Sequence, residues 1–290
     1  MKVNELFARK TVFSFEVYPA RKTAPIQVVY DAVDALAGLG PDYISVTYGA
    51  GGGAANAAST VEIASLIENT YRLPAVAHLP GINLTREELG SLLMRLSAHR
   101  LENVLALRGD RTPGTAASGE FAHASEVAAF IGQTIPGYFN IIGACYPEVH
   151  PEAASPEEDL RWLRHKVDAG VDQLATQLFF DNRHFYDFLE RARDFGITVP
   201  IQAGIMPVVN ARQAARMVEL CGANMPPAFV DLVERYGSDD ARMREAGIDY
   251  AIAQILDLIE HGVDGVHLYT MNDPLTASAI SVVVKPLTDC

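Results

Sequence analysis

Eight short runs of β-branched and aromatic residues, each followed by a longer stretch with helical spacing, constrain this chain more than any other feature. The runs are residues 12–18, 43–47, 75–79, 104–107, 141–145, 173–178, 201–205 and 265–268. Each is short and mostly apolar, as a strand covered on both faces must be. Helical spacing covers 27–39, 61–71, 89–101, 125–133, 156–169, 184–195, 211–220, 227–236, 241–261 and 274–284. Thr85-Arg86-Glu87-Glu88 reads as a capping box, and Ser125 as the cap of the helix after it. Ser155-Pro156-Glu157-Glu158 is a strong helix start, and Gly40 and Gly170 are helix stops. Strict alternation without a compositional break predicts an α/β chain, a single (β/α)8 TIM barrel over residues 1–290. An open doubly wound sheet is the second choice.

Composition agrees. Of 290 residues, 49% are apolar and 20% charged, enough to bury a large core. Lys and Arg number 23 against 36 Asp and Glu, a net charge of −13. That argues against nucleic acid or an anionic membrane surface as the main partner. Cys145, Cys221 and Cys290 are odd in number and have no C-x-x-C spacing. Neither a disulfide framework nor a cysteine zinc site is expected, and a reducing, cytoplasmic setting is. The opening MKVNELFARK has no apolar core, and no run reaches the roughly 18 residues of a membrane span. Neither a signal peptide nor a membrane segment is expected.

In such a barrel, chemistry gathers at the C-terminal ends of the strands. Glu16 interrupts an apolar first strand, where a carboxylate is costly unless it has a partner or holds its proton, as a general acid must. Pairing with Arg21 is the structural alternative. Thr47-Tyr48-Gly49-Ala50 closes the second strand, His78 the third, Arg108-Gly109-Asp110 the fourth and Tyr146-Pro147-Glu148-Val149-His150 the fifth. Gln177 stands on the sixth, and His267 and Tyr269 end the eighth. Gly109 permits close approach of a ligand to the backbone, and the stretch after it, to Ala124, is long for such a loop. His78 and His150 lack H-x-H or H-E-x-x-H spacing, so no metal is expected. G-A-G-G-G-A at 49–54 imitates a dinucleotide fingerprint, but the acid at the right distance, Glu68, falls inside a helical pattern. Met206-Pro207-Val208 and Tyr269-Thr270-Met271 lack the glycines of a barrel phosphate site, which disfavours a sugar-phosphate aldolase or isomerase. Arg161, Arg164, His165 and Lys166 form a basic stripe. It reads either as a solvated face paired with Glu157, Glu158 and Asp168 or as a diphosphate contact.

Taken in order, F-S-F-E-V-Y-P (13–19), S-V-T-Y-G-A (45–50), A-H-L (77–79), A-L-R-G-D (106–110), Y-P-E-V-H-P-E-A (146–153), K-V-D-A-G (166–170), G-I-M-P-V (204–208) and H-L-Y-T-M-N (267–272) resemble the flavin-dependent methylenetetrahydrofolate reductases. The set covers nearly the whole chain. The resemblance implies a (β/α)8 barrel carrying FAD. It implies hydride transfer from NADH or NADPH to the flavin, then from the flavin to 5,10-methylenetetrahydrofolate, in ping-pong order, giving 5-methyltetrahydrofolate. Glu16 would be the general acid that opens the imidazolidine ring, with Asp110 beside flavin and folate. Thr47, Tyr48, Ala50, His78, Arg108, Gly109, Asp110, Ala124, Tyr146, His150, Ala153, Asp159, Trp162, His165 and Lys166 would line the FAD. Thr47, Gln177 and Gln213 would meet the substrates, together with Glu16 and Asp110. A homo-oligomer is expected by the same analogy.

The chain departs from the family pattern in places. V-Y-P-A replaces an F-P-P form, Pro80-Gly81 follows His78-Leu79 in place of Thr-Cys, and Trp162 and His165 replace Asn and Arg. Asp273 stands where some members carry an Arg for the folate tail, so a compensating Arg183 or Arg212 is expected nearby. Ending without the long regulatory region of eukaryotic members, the chain resembles the short bacterial form, and S-adenosylmethionine control is not expected. Two other readings stay open: a flavin-free pterin-binding one-carbon barrel, and a reductase subunit fed electrons by a partner protein.

Overall fold

Eight parallel strands close on themselves in chain order in the computed structural model, which describes residues 1–20, 25–48, 54–109 and 119–289, apart from the side chains of 54–57 and 218–220. They are β1 (Val12–Val17), β2 (Ile44–Val46), β3 (Ala75–Pro80), β4 (Asn103–Leu107), β5 (Asn140–Cys145), β6 (Gln173–Thr176), β7 (Ile201–Ile205) and β8 (Gly265–Tyr269). Closure comes from β1 pairing with β8, in register from Val12↔Gly265 to Glu16↔Tyr269. This is the (β/α)8 barrel expected from the alternation.

Among the described residues, ten α-helices surround the strands. They are α1 (Gln27–Ala37), α2 (Ala54–Asn69), α3 (Arg86–Ala98), α4 (Ala124–Thr134), α5 (Pro156–Asp168), α6 (Asn182–Asp194), α7 (Ala211–Cys221), α8 (Pro227–Tyr236), α9 (Asp240–Glu260) and α10 (Pro274–Thr288). None is long and apolar enough to cross a membrane. Each helix turns an apolar stripe inward; on α3 it is Leu89, Leu92, Leu93 and Leu96, all buried. The expected capping box forms: Glu88 N–H donates to Thr85 Oγ1 at 3.2 Å and Thr85 N–H to Glu88 Oε2 at 2.8 Å. Ser155 likewise accepts from Glu158 N–H. One expected cap is corrected. Ser125 lies inside the first turn of α4, and His123 is the N-cap residue. Glu126 reaches back to accept from the N–H groups of Ala122 and His123, the glutamate half of a capping box.

Successive residues of a strand face opposite ways. On β1, Phe13, Phe15 and Val17 join the large core between sheet and helices. Val12, Ser14 and Glu16 point into the barrel. Val3, from a short 3₁₀ turn at Val3–Leu6, closes the foot of the interior by packing with Val12, Tyr43, Val76, Leu105, Ile142 and Ala175, beside buried Asn103, Asn140 and Gln173. Val3 is fully buried, and its N–H donates to Asn103 Oδ1 at 2.9 Å. Asn103 returns a bond to Met1 O.

At the foot, four carboxylates accept from amides at the strand entries. Asp42 accepts from Phe13 N–H, Glu68 from Ala75, Asp172 from Ile141 and Asp264 from Ile201, each at 2.8 Å. Asp264 also meets Arg193 at 3.1 Å. Removing that acceptor by Asp264→Ala strands a strand amide and an arginine. The variant is expected to lose about 1–3 kcal/mol of unfolding free energy in urea. An unchanged denaturation midpoint would show that these carboxylates do not hold the foot.

Candidate functional site

At the opposite end, the loop after β8 fixes the end of β1. Thr270 Oγ1 donates to the carbonyl of Glu16 at 2.6 Å. Asn272 bonds both ways with the backbone of Tyr18, accepting from its N–H at 3.0 Å and donating to its carbonyl at 2.9 Å. Met271 and Asn272 reach these positions with φ of 55° and 54°, the left-handed region that Asn tolerates better than most residues. The H-L-Y-T-M-N run thus serves as a clamp on the acid-bearing strand.

The Glu16 carboxylate faces two imidazoles. Its Oε2 lies 3.5 Å from His78 Nε2 and 3.8 Å from His267 Nε2. Burial pushes the His78 ring down to about 4; the nearby Glu16 charge opposes this and His267 adds to it, leaving His78 neutral at pH 7. His78 Nε2 is buried with no hydrogen-bond partner. His267 is held by Ser14 Oγ at 2.7 Å on Nδ1 and by Ser45 Oγ at 3.2 Å on Nε2. The neighbours of Glu16 are therefore rings from β3 and β8; Arg21 lies outside the described residues. Tyr269 crosses the barrel to donate to Thr176 O at 2.6 Å. A Cβ on Gly204 would fall 2.7 Å from the Tyr269 hydroxyl and 2.4 Å from that same carbonyl, which explains the glycine in G-I-M-P-V.

Beside the mouth, a cavity opens between the ends of β4 and β5 and helices α4 and α5. Trp162 and His123 form one wall, stacked with centroids 5.0 Å apart and planes at 13°. Trp162 is 47% exposed and is the chain's one tryptophan. Arg108 and Lys166 are the cations of the cavity. Arg108 forms a two-pronged bond to Glu152 at 2.6 and 2.8 Å. Lys166 Nζ donates to Ala144 O at 2.6 Å, and burial lowers its pKa. Behind it, burial pushes the Cys145 thiol up to about 12. Tyr146 and His150 meet edge to face. His150 Nδ1 accepts from the Glu152 backbone N–H, and the His150 backbone N–H donates to Asp159 Oδ2. A flat aromatic wall, small Ala124 and Ala153 side chains and two cations suit an elongated aromatic anion with phosphate groups.

The family model described as methylenetetrahydrofolate reductase matches residues 2–285. The chain belongs to the methylenetetrahydrofolate reductase family. It is 33% identical over 259 residues to the 5,10-methylenetetrahydrofolate reductase of Escherichia coli K12, covering 89% of this chain and 86% of that one. It is 34% identical over 289 residues to methylenetetrahydrofolate reductase (NADH) 1 of Arabidopsis thaliana, covering 95% of this chain and 48% of that one. The chain thus spans about half the length of the plant relatives it matches. A solved structure, described as an uncharacterized protein from Clostridium thermocellum that binds two copies of 5-methyl-5,6,7,8-tetrahydrofolic acid, shares the fold. Its TM-score is 0.70 at 13% identity, over 99% of both chains.

The residues that the reductase resemblance singles out fall into separate places. Arg108, Ala124, Tyr146, His150, Ala153, Asp159, Trp162 and Lys166 meet in the side cavity. Glu16 and His78 sit at the mouth. Gly109 stands between these two places with φ of 91°, and a Cβ there would lie 2.9 Å from Ile82 and 3.0 Å from Pro80. Tyr48 is buried in the core between sheet and helices, its hydroxyl without a partner. His165 is exposed and touches the edge of Trp162. Thr47 lies beside β1, its N–H bonded to Val17 O. Gln177 accepts from Leu178 N–H, and Gln213 from Val209 N–H. Ala50 and Asp110 lie outside the described residues, as does most of the loop after Asp110. The basic stripe divides: Arg164 pairs with Asp168 at 2.9 Å, while Lys166 turns inward. The sequence reading omits His123 and Glu152. Glu152 stands inside the matched Y-P-E-V-H-P-E-A run, and His123 is next to Ala124.

Asp273 has a different partner from those expected. Arg244 of α9 meets it at 2.6 Å, whereas Arg183 pairs with Asp181. Asp273 is also the N-cap of α10, accepting from Leu275 N–H and Thr276 N–H. Burial pushes its pKa up, but the bonds from Arg244 and Thr276 outweigh this and hold it below the ordinary value. A depressed carboxyl pKa stabilises the fold above the unfolded-state pKa, and that contribution is lost as pH falls through the folded value. Asp273→Ala is expected to cost about 1 kcal/mol at neutral pH, with the gap to the native protein narrowing below about pH 4. Urea melts across that range check it; a gap independent of pH would mean that the charge contributes nothing.

Proposed function

We propose that this chain reduces 5,10-methylenetetrahydrofolate to 5-methyltetrahydrofolate, with NADH or NADPH as reductant and FAD as the bound redox group. Membership of the reductase family supports the reaction. The observation that carries the reading is the place of Glu16: a carboxyl group at the barrel mouth, clamped by the β8 loop and facing two buried imidazoles.

In this reading, Glu16 delivers a proton to the leaving nitrogen of the folate imidazolidine ring. The C–N bond breaks, the electron pair goes to that nitrogen, and the methylene carbon is left as an iminium that takes a hydride and becomes the methyl group. His78 and His267 line the carboxyl group on two sides; neutral His78 does so without adding a charge. Gln177, Gln213 and Thr47 are the polar groups proposed to orient the pterin, and Asp110 is proposed to lie beside it.

The side cavity suits FAD. Trp162 and His123 offer a flat surface to a ring, Arg108 and Lys166 offer charge to a diphosphate, and Ala124 and Ala153 leave space for the chain between. When bound, FAD supplies hydride transfer between the nicotinamide and the folate. Glu152 competes for Arg108 with any phosphate, so occupancy is expected to loosen that ion pair.

Two measurements test this reading. Because Trp162 is the sole tryptophan, adding FAD is expected to quench the protein's indole fluorescence saturably. Fluorescence that does not respond would favour the flavin-free barrel. Glu16→Gln is expected to keep bleaching of the bound flavin by NADH under anaerobic mixing while folate reduction falls by about 100-fold or more. Undiminished folate reduction would remove Glu16 as the acid. A native protein whose flavin NADH cannot bleach would point to a partner protein as electron source.

A further inference from the structure

We propose that Tyr43 and Gln202 are positioning residues for the mouth acid. Through Ser14 they hold the His267 ring with its hydrogen on Nε2, the nitrogen that faces Glu16. The consequence for catalysis rests on the reading of Glu16 given above; the placement of the hydrogen does not.

Two backbone carbonyls, which can only accept, fix the orientation of the Gln202 amide. The carbonyl of Val266 lies 3.0 Å from the Gln202 side-chain nitrogen, and that of Val12 lies 3.5 Å from it. A carbonyl oxygen cannot face another oxygen at such a distance without repulsion, so this end of the amide is the NH2. Its second hydrogen points to Ser14 Oγ at 2.8 Å. The other end, Oε1, accepts from the Tyr43 hydroxyl at 2.6 Å. Ser14, having accepted from Gln202, has one hydrogen to give, and two acceptors lie within its reach, the Tyr43 hydroxyl and His267 Nδ1. The hydrogen is assigned to Nδ1, 2.7 Å away, which puts the ring hydrogen on Nε2. That nitrogen lies 3.2 Å from Ser45 Oγ and 3.8 Å from Glu16 Oε2.

Water does not replace any link. Ser14, Tyr43, Ser45, Gln202 and His267 are all buried. Breaking one bond leaves a polar group unpaired in a medium of low dielectric, so the chain resists rearrangement. Tyr43 also stacks on the His267 ring, centroids 5.7 Å apart at 21°, and Tyr269 meets its edge at 5.5 Å. The titratable groups around the ring are therefore Glu16, His78, Tyr43 and Tyr269.

The choice of tautomer has a chemical consequence. With hydrogen on Nε2, His267 presents a donor to the carboxyl group and cannot take its proton. With hydrogen on Nδ1, Nε2 would present a lone pair to Glu16 and compete with the folate nitrogen for that proton. Tyr43 and Gln202 lie toward the foot, away from the mouth, so they act on the acid only through Ser14 and His267.

The test uses protein labelled with ¹⁵N in the histidine rings, with the His267 signal assigned by its loss in His267→Asn. In the native protein, Nδ1 is expected to show the shift of a bare nitrogen and Nε2 that of a protonated one. Gln202→Met removes the donor to Ser14 and is expected to move both shifts toward an average of the two tautomers; Tyr43→Phe should do so in part. With substrate, both variants should lower kcat for folate reduction by at least about tenfold for Gln202→Met, with KM for folate and flavin bleaching by NADH unchanged. A native protein with its hydrogen on Nδ1, or ring shifts in both variants like the native ones, overturns the proposal. The native spectrum decides even where Gln202→Met does not fold. If Glu16→Gln leaves folate reduction intact, the acid assignment fails while the ring shifts still report on His267.

Discussion

The pairing of β1 with β8 is the contact on which the mouth depends. Residues 253 positions apart, Ser14 and His267, come within one hydrogen bond because two strands from the ends of the chain lie side by side. Closure removes the sheet's edges and fixes which residues face inward. Sliding β1 by one residue would turn Ser14 and Glu16 toward the helices and bring Phe13 and Phe15 into the barrel. The Thr270 and Asn272 bonds to β1 resist that slip at the end where chemistry is proposed.

The interior mixes apolar and polar side chains along one axis. At the foot, the cluster around Val3 packs beside buried Asn103, Asn140 and Gln173. From Gln202 upward follow Ser14, Ser45, His78 and His267, and most of the polar atoms of this group find partners among themselves. Burial of so many polar groups adds little net stability, but a satisfied network holds side chains in one arrangement. His78 Nε2, buried and unpartnered, is the exception, and it stands next to the carboxylate. An unsatisfied group retained at such a place is consistent with a site shaped for a ligand more than for stability.

Much of the fold is legible in the sequence because each strand is a short apolar run between helices with strong caps. The edges are less legible. Asn103 and Asn140 begin β4 and β5 although both are polar, because a closed barrel buries its strand entries and gives Asn103 backbone partners there. Helix α2 begins in an Ala-rich segment whose apolar periodicity is weak, so only its later part is apparent. In the site, Glu16 stands out as a charge in an apolar run. His78 and His267 stand out as polar residues at strand ends, but their meeting with Glu16 does not, since they come from strands far away in the chain. Tyr43 and Gln202 read as ordinary barrel residues, and Arg244 as one charge on an amphipathic helix. Each acquires its role from a contact that no local pattern encodes.

Val3 and the turn that carries it make the barrel a vessel stoppered at one end. Solvent enters at the other end. A carboxyl group that gives up its proton inside is recharged from the mouth, the opening that a bound pterin would cover. In the proposed reaction, the departure of one product and the rearming of the acid therefore share a gate. The foot of the barrel, remote from any reacting atom, thereby helps to set the order in which a catalytic cycle can run.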